Sequence, residues 1–138
     1  MRVAAARWRI WCGAAAIYAL LHGASAAFFT QIGAALGEPG AYSSALYHGS
    51  NALAIALVVA ALLTLVSLSG SPLQAALACA ATGALAVALL VLWVAAGPEG
   101  RSIGTLVYLV VPVVLLALAS GRAFVVHRRG AAPEEPER

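Results

Sequence analysis

Apolar residues in this chain come in long unbroken runs, without the period-two alternation of a half-buried strand. From about Ile10 to Phe29, Ala45 to Val66, Leu73 to Ala96 and Ile103 to Ala119 there is no Asp, Glu or Lys, and the fourth run can be extended to Val126 before its composition changes. A helix of roughly 20 apolar residues crosses a bilayer, because it satisfies its backbone hydrogen bonds internally where no water is present. A membrane β-barrel would instead alternate lipid-facing and lumen-facing residues over ~10-residue segments. The pattern therefore predicts an all-α integral membrane protein. Residues 1–130 form a single domain, a four-transmembrane-helix bundle with spans at about 10–29, 45–66, 73–96 and 103–119.

The breaks between runs fit this division. "GEPGAYSS" (37–44) and "GPEG" (97–100) supply helix-breaking Gly and Pro. "SGSP" (69–72) reads as a tight turn with Pro72 opening the third helix, where its missing N–H costs nothing. "AAPEEPER" (131–138) has too little apolar content to bury and is expected to be a disordered tail. Arg2, Arg7 and Arg9 precede the first run and Arg122, Arg128 and Arg129 follow the fourth, so both termini are expected on the cytoplasmic side. A rival division takes the basic start, Ile10–Leu21 and "ASA" (24–26) as a cleavable signal peptide, leaving three spans that begin near Ala27. It is disfavoured because the apolar run continues through "AFF" (27–29) to full spanning length.

Composition sharpens this picture. Of 138 residues 63% are hydrophobic and 9% charged, against about 45–50% and about 25% in a soluble domain, so lipid is expected to solvate much of the surface. The net charge of +3 lies in arginines flanking apolar runs, not in a basic stripe, so nucleic acid is not an expected partner. Lys and Asp are absent while Ala, Gly and Arg are abundant, a bias of GC-rich bacterial genomes that points to a bacterial inner membrane. Cys12 and Cys79 form neither a CxxC nor a zinc pattern and are expected to be buried thiols.

Polar residues within the runs are few and gather toward one leaflet. Tyr18, His22 and Ser25 share a face of the first helix, and Tyr47, His48 and Asn51 a face of the second, with Ser44 one turn earlier. At ~1.5 Å per residue, His22 comes roughly 10–12 Å below the outer end of its span, Asn51 roughly 9 Å and Tyr108 of the fourth helix roughly 8 Å. His48 is expected shallower, near Ser25 and Ala26. Together Tyr18, His22, Ser25, Tyr47, His48, Asn51 and Tyr108 are candidates to line a cleft opening outward. They serve either as interhelical hydrogen-bonding groups or as a ligand site. The inner half offers little beyond Thr64, Ser67 and Thr82.

Small residues mark expected helix contacts. Gly23 and Ala27 form a small-xxx-small pair, and Gly49 offers a similar approach. Ala76, Ala80 and Ala84, with Cys79 and Gly83 beside them, make a stripe that places the third helix centrally or at a protomer contact. The fourth helix is bulkier, faces more lipid, and carries Pro112 as a potential kink. Trp8, Trp11 and Trp93 fall where interfacial anchors belong.

No nucleophile, base and orienting acid occur together, and no intramembrane carboxylate could complete a metal site, so neither catalysis nor a metal is expected. The function these features favour is a non-enzymatic accessory or self-associating membrane subunit, with the bilayer and either a homo-oligomer or a larger membrane complex as partners. The alternative is ligand binding or transport of a quinone, lipid or small molecule through the His/Tyr/Asn cleft. Haem between His22 and His48 ranks lower, since their depths differ. Proton-coupled transport on histidine alone ranks low too. No cofactor is predicted.

Overall fold

The computed structural model describes residues 2–35, 44–95 and 103–130, with the side chains of 2–6, 30, 32–35, 44–48, 50 and 103–109 outside that description. The described residues form four helices: α1 (Arg2–Ala35), α2 (Ser44–Ser67), α3 (Pro72–Ala95) and α4 (Ile103–Gly130). The expected tail, 131–138, and most of the first and third connections lie outside the described residues.

Three of these helices are long and apolar enough to cross a membrane, over Arg7–Phe29, Pro72–Ala95 and Val110–Gly130. In α2 the apolar stretch among the searched residues is the shorter Asn51–Ser67. The helices outrun the expected spans at both ends of the chain. α1 has 34 residues, about 51 Å at ~1.5 Å per residue against a hydrocarbon layer of about 30 Å. Its arginine-bearing start is rich in Ala and Arg, strong helix formers. At its far end "QIGAA" (31–35) prolongs the helix instead of lying apart from it. α4 runs unbroken through a buried Pro112 and on to Gly130, so Arg122, Arg128 and Arg129 are helical residues.

Successive helices pack side by side and α4 closes back on α1, while α2 and α4 also meet across the diagonal. Among the described residues the α1 and α3 backbones do not come close to each other. The central place expected for the third helix thus belongs to the α2–α4 diagonal. Each helix contributes a buried seam with steps of three and four residues: Cys12, Ala16, Ala19 and Gly23 on α1; Ala54, Leu57, Ala61, Thr64 and Leu68 on α2. On α3 the seam is Ala75, Ala78, Thr82 and Leu85, and on α4 Pro112, Leu116, Ala119 and Ala123. That alternation keeps one face turned to its neighbours along antiparallel helices.

The seams are made mostly of small residues, with one or two leucines on each of α2, α3 and α4, and most of the large apolar side chains point away. Ile10, Trp11, Leu21, Phe28 and Phe29 on α1 are exposed, as are Leu73, Val87, Leu90 and Val94 on α3 and Leu118 on α4. Trp11 is 76% exposed whereas Ala16, Ala19, Ala61, Ala75, Ala78 and Ala123 are fully buried. A water-soluble bundle would bury the large residues first. Helices in lipid gain nothing from doing so, and pack instead through small residues that let backbones approach.

The inner hydroxyls are satisfied locally. Thr64 Oγ1 donates to the Ala60 carbonyl (2.8 Å), Thr82 Oγ1 to Ala78 (2.8 Å) and Ser67 Oγ to Thr64 (2.7 Å). All three side chains are buried, and bonding back to their own helix removes the desolvation cost without tying helices together. Between α2 and α3 the turn closes with Leu68 N–H on the Leu65 carbonyl (3.2 Å). Ser71 and Gln74 then cap each other across the α3 N-terminus: Ser71 N–H donates to Gln74 Oε1 (3.0 Å) and Gln74 N–H to Ser71 Oγ (3.4 Å). This reciprocal box, with Pro72 as first helical residue, satisfies donors that the helix start leaves open.

Candidate functional site

The register of α1 against α2 decides which polar residues can meet. Gly13 faces Leu68, and Gly23 faces Leu57, with Ala54 and Val58 beside it. In this antiparallel pair His22 therefore comes level with about Val58, and Asn51 with Phe28 or Phe29. His22 and Asn51 are thus offset by roughly 10 Å along the axis, and His22 and His48 by roughly 15 Å. The similar depths expected for His22 and Asn51 do not hold. Their premise was an α1 ending near Phe29, and the helix continues through Ala35, which sets every α1 residue lower against α2.

The polar set consequently divides. Tyr18 and His22 form one pair, with ring centroids 5.8 Å apart at 43°. They lie one turn apart within the apolar stretch of α1, Tyr18 exposed and His22 half-buried, its Nε2 atom buried. Ser25, on the same helix, is exposed. Asn51 is half-buried at the edge of the apolar part of α2, and its Oδ1 is buried with no hydrogen-bond donor among the described residues. Tyr47 and His48 belong to the turns of α2 before Asn51, and Tyr108 to the second turn of α4; their side chains lie outside the described residues. Because His127 of α4 meets Ser67 of α2, Tyr108 comes level with about His48, above His22. A larger offset also weighs further against one iron held between His22 and His48.

The small-residue positions divide as well. A Cβ on Gly23 would lie 3.0 Å from the Ala54 carbonyl oxygen, 3.1 Å from Val58 Cγ2 and 3.3 Å from Leu57 Cβ, so α1 and α2 approach closely there. Ala27 and Ala76 are half-buried. Ala80, Gly83 and Ala84 instead lie exposed on the outer surface of α3, and a Cβ on Gly83 would meet nothing within 4 Å. Packing of α3 within the chain uses the opposite face, through Ala75, Ala78, Thr82 and Leu85.

One polar contact between helices lies at the end bearing the arginines, where the sequence offered no candidate. His127 Nε2 donates to the Ser67 carbonyl at 2.7 Å, which requires the tautomer protonated on that nitrogen. Ser67 closes α2, so its carbonyl is among those with no intrahelical donor, and the imidazole caps it. Trp8 packs edge-on against the same imidazole, with centroids 6.4 Å apart at 83°. Beneath it Cys12, Leu68, Ala75, Ala119 and Ala123 form a buried cluster. A fourth span ending at Ala119, or extended to Val126, stops short of His127, which lies in the helix beyond the apolar run. The signal available was spacing: Ala119, Ala123 and His127 are successive four-residue steps on one helix face.

Among the described residues no group of three His, Cys, Asp or Glu could hold a metal ion, and both cysteines are free thiols. Comparison with protein families, with characterised proteins and with solved structures gives no match to this chain.

Proposed function

We propose that this chain is a four-span protein of a bacterial inner membrane, both ends cytoplasmic, serving as a self-associating or accessory membrane subunit without catalytic activity. The observation that carries this reading is the outward stripe Ala80–Gly83–Ala84 on α3, a helix whose own packing is completed by its other face. Large apolar residues share that outer surface, including Leu77, Val87, Leu90 and Val91. A gap of small side chains among them admits another helix at close range. The orientation rests on the arginines: the start of α1 and the end of α4 meet through Trp8 and His127, so the basic flanks share one end.

Cross-linking tests the association. In a Cys12→Ala/Cys79→Ala background, Gly83→Cys is expected to give disulfide-linked dimers on oxidation in native membranes, and Leu118→Cys on the outer face of α4 is not. A second chain captured in fixed ratio in mild detergent selects the accessory role. A monomer mass at every concentration, with no cross-link at position 83 and no captured chain, rejects both. Ligand binding remains the second reading, favoured by the buried Asn51 oxygen. A Soret band or a stoichiometric quinone in the purified protein would establish it in place of the first.

A further inference from the structure

While Pro112, Leu116, Ala119 and Ala123 turn one face of α4 inward, a second set of residues turns the other face out. Val111, Val114, Leu118, Arg122, Val125 and Arg129 follow one another at steps of three and four residues, and all are exposed. They form one ridge along the helix, opposite its buried seam. Arg122 is out of keeping there. It lies within the apolar stretch Val110–Gly130, with Leu118, 67% exposed, one turn further from the arginine-bearing end. Arg129, on the same ridge, is roughly 10 Å nearer that end. Trp8 against His127, and Cys12 in one cluster with Ala119 and Ala123, set the register of α1 on α4. Arg122 thus comes level with about Cys12, close enough for its charge to act on that thiol.

A guanidinium within a span is costly unless it is paired. None of the four helices contains a carboxylate to pair with it. The acidic residues of the chain are Glu38, Glu99, Glu134, Glu135 and Glu137, all outside the helices, so a second copy has the same gap. Reaching back to water is also hindered. Each Cα–Cβ bond tilts toward the helix N-terminus, which in α4 points away from the arginine-bearing end, so the Arg122 side chain sets out in the wrong direction. We infer that the α4 ridge docks a membrane helix of a different protein, which presents a carboxylate to Arg122 and apolar side chains to Val111, Val114, Leu118 and Val125. Guanidinium and carboxylate meet through paired, charge-assisted hydrogen bonds, and the bilayer interior holds no water to compete for them. This inference rests on the accessory role proposed above and gives its partner a chemistry; it does not involve the α3 stripe.

The test places the full chain in phosphatidylcholine vesicles with a synthetic leucine–alanine spanning helix. That peptide carries a dansyl group and a single Glu, or a single Gln, at the depth of Arg122. Energy transfer from the chain's tryptophans to the dansyl group reports association, at mildly alkaline pH so that the carboxyl group ionises. The Glu peptide should bind roughly tenfold more tightly than the Gln peptide, as a strong polar contact between membrane helices does. Arg122→Gln should abolish the difference with helix content unchanged, Arg122→Lys should keep part of it, and Arg129→Gln should leave it intact. Equal binding of the two peptides, or a difference that survives Arg122→Gln, overturns the inference. So does loss of the difference when phosphatidylglycerol is added, which would make a lipid phosphate the partner of Arg122. It also fails if the difference emerges only after deletion of 131–138, whose Glu134, Glu135 and Glu137 would then be that partner. A chain captured in fixed ratio from native membranes, and held equally well by Arg122→Gln, would reject this docking surface while leaving the accessory role in place.

Discussion

Substituting Gly23 by Ala adds one methyl group where α1 and α2 approach closely. Of the three atoms that methyl would meet, the Ala54 oxygen at 3.0 Å and Leu57 Cβ at 3.3 Å are backbone or backbone-fixed. The third, Val58 Cγ2 at 3.1 Å, belongs to a β-branched side chain that is stiff in a helix. None can rotate away, so the helices must separate by a few tenths of an ångström. Overpacking of this kind costs about 1–3 kcal/mol. Ala is favoured over Gly in a helix interior by about 1 kcal/mol, which offsets part of that cost. Gly121→Ala provides the reference, because that glycine is inside α4 and its Cβ would meet nothing within 4 Å. The difference between the two variants thus isolates packing from propensity: Gly23→Ala should be the less stable by about 1–3 kcal/mol. Equilibrium unfolding in mixed micelles, followed by far-ultraviolet circular dichroism, measures it. Equal shifts for the two variants would refute the close approach, and with it the register that separates His22 from Asn51.

His127→Phe keeps an aromatic ring against Trp8 but removes the donor to Ser67, and should cost about 1–2 kcal/mol in the same assay. His127→Gln, able to donate again, should recover part of the loss; no effect from either variant would remove the cap from the account. Ser71→Ala breaks the reciprocal box at the start of α3 and should destabilise by about 0.5–1 kcal/mol, an exposed cap being worth the lower end of its range. Hydrogen exchange should locate that change in the first turn of α3, and faster exchange spread over all four helices would contradict a local role.

Helix number, approximate placement and the presence of helices long and apolar enough to span a membrane follow from the sequence alone, because length and absence of charge are one-dimensional properties. Pro72 at the start of α3 was legible on the same footing, being a local effect of one residue type. The face each helix turns inward was not. Nearly every position in these runs is apolar, so the contrast that orients a soluble helix is missing. Orientation is set by residue size, which acts only once a neighbour is present. Gly23 and Gly83 look alike in the chain, yet one touches α2 and the other faces outward. Depth differs from the sequence expectation for a related reason: a span estimated from hydrophobicity stops where the apolar run ends, whereas the helix stops where its backbone bonding ends, six residues later in α1. That shift carries Asn51, and with it Tyr47 and His48, away from His22. It took the packed helices to bring His127, sixty residues along the chain, onto the Ser67 carbonyl. A carbonyl left without a donor at a helix end can recruit one from anywhere in the chain, and only the tertiary structure says from where.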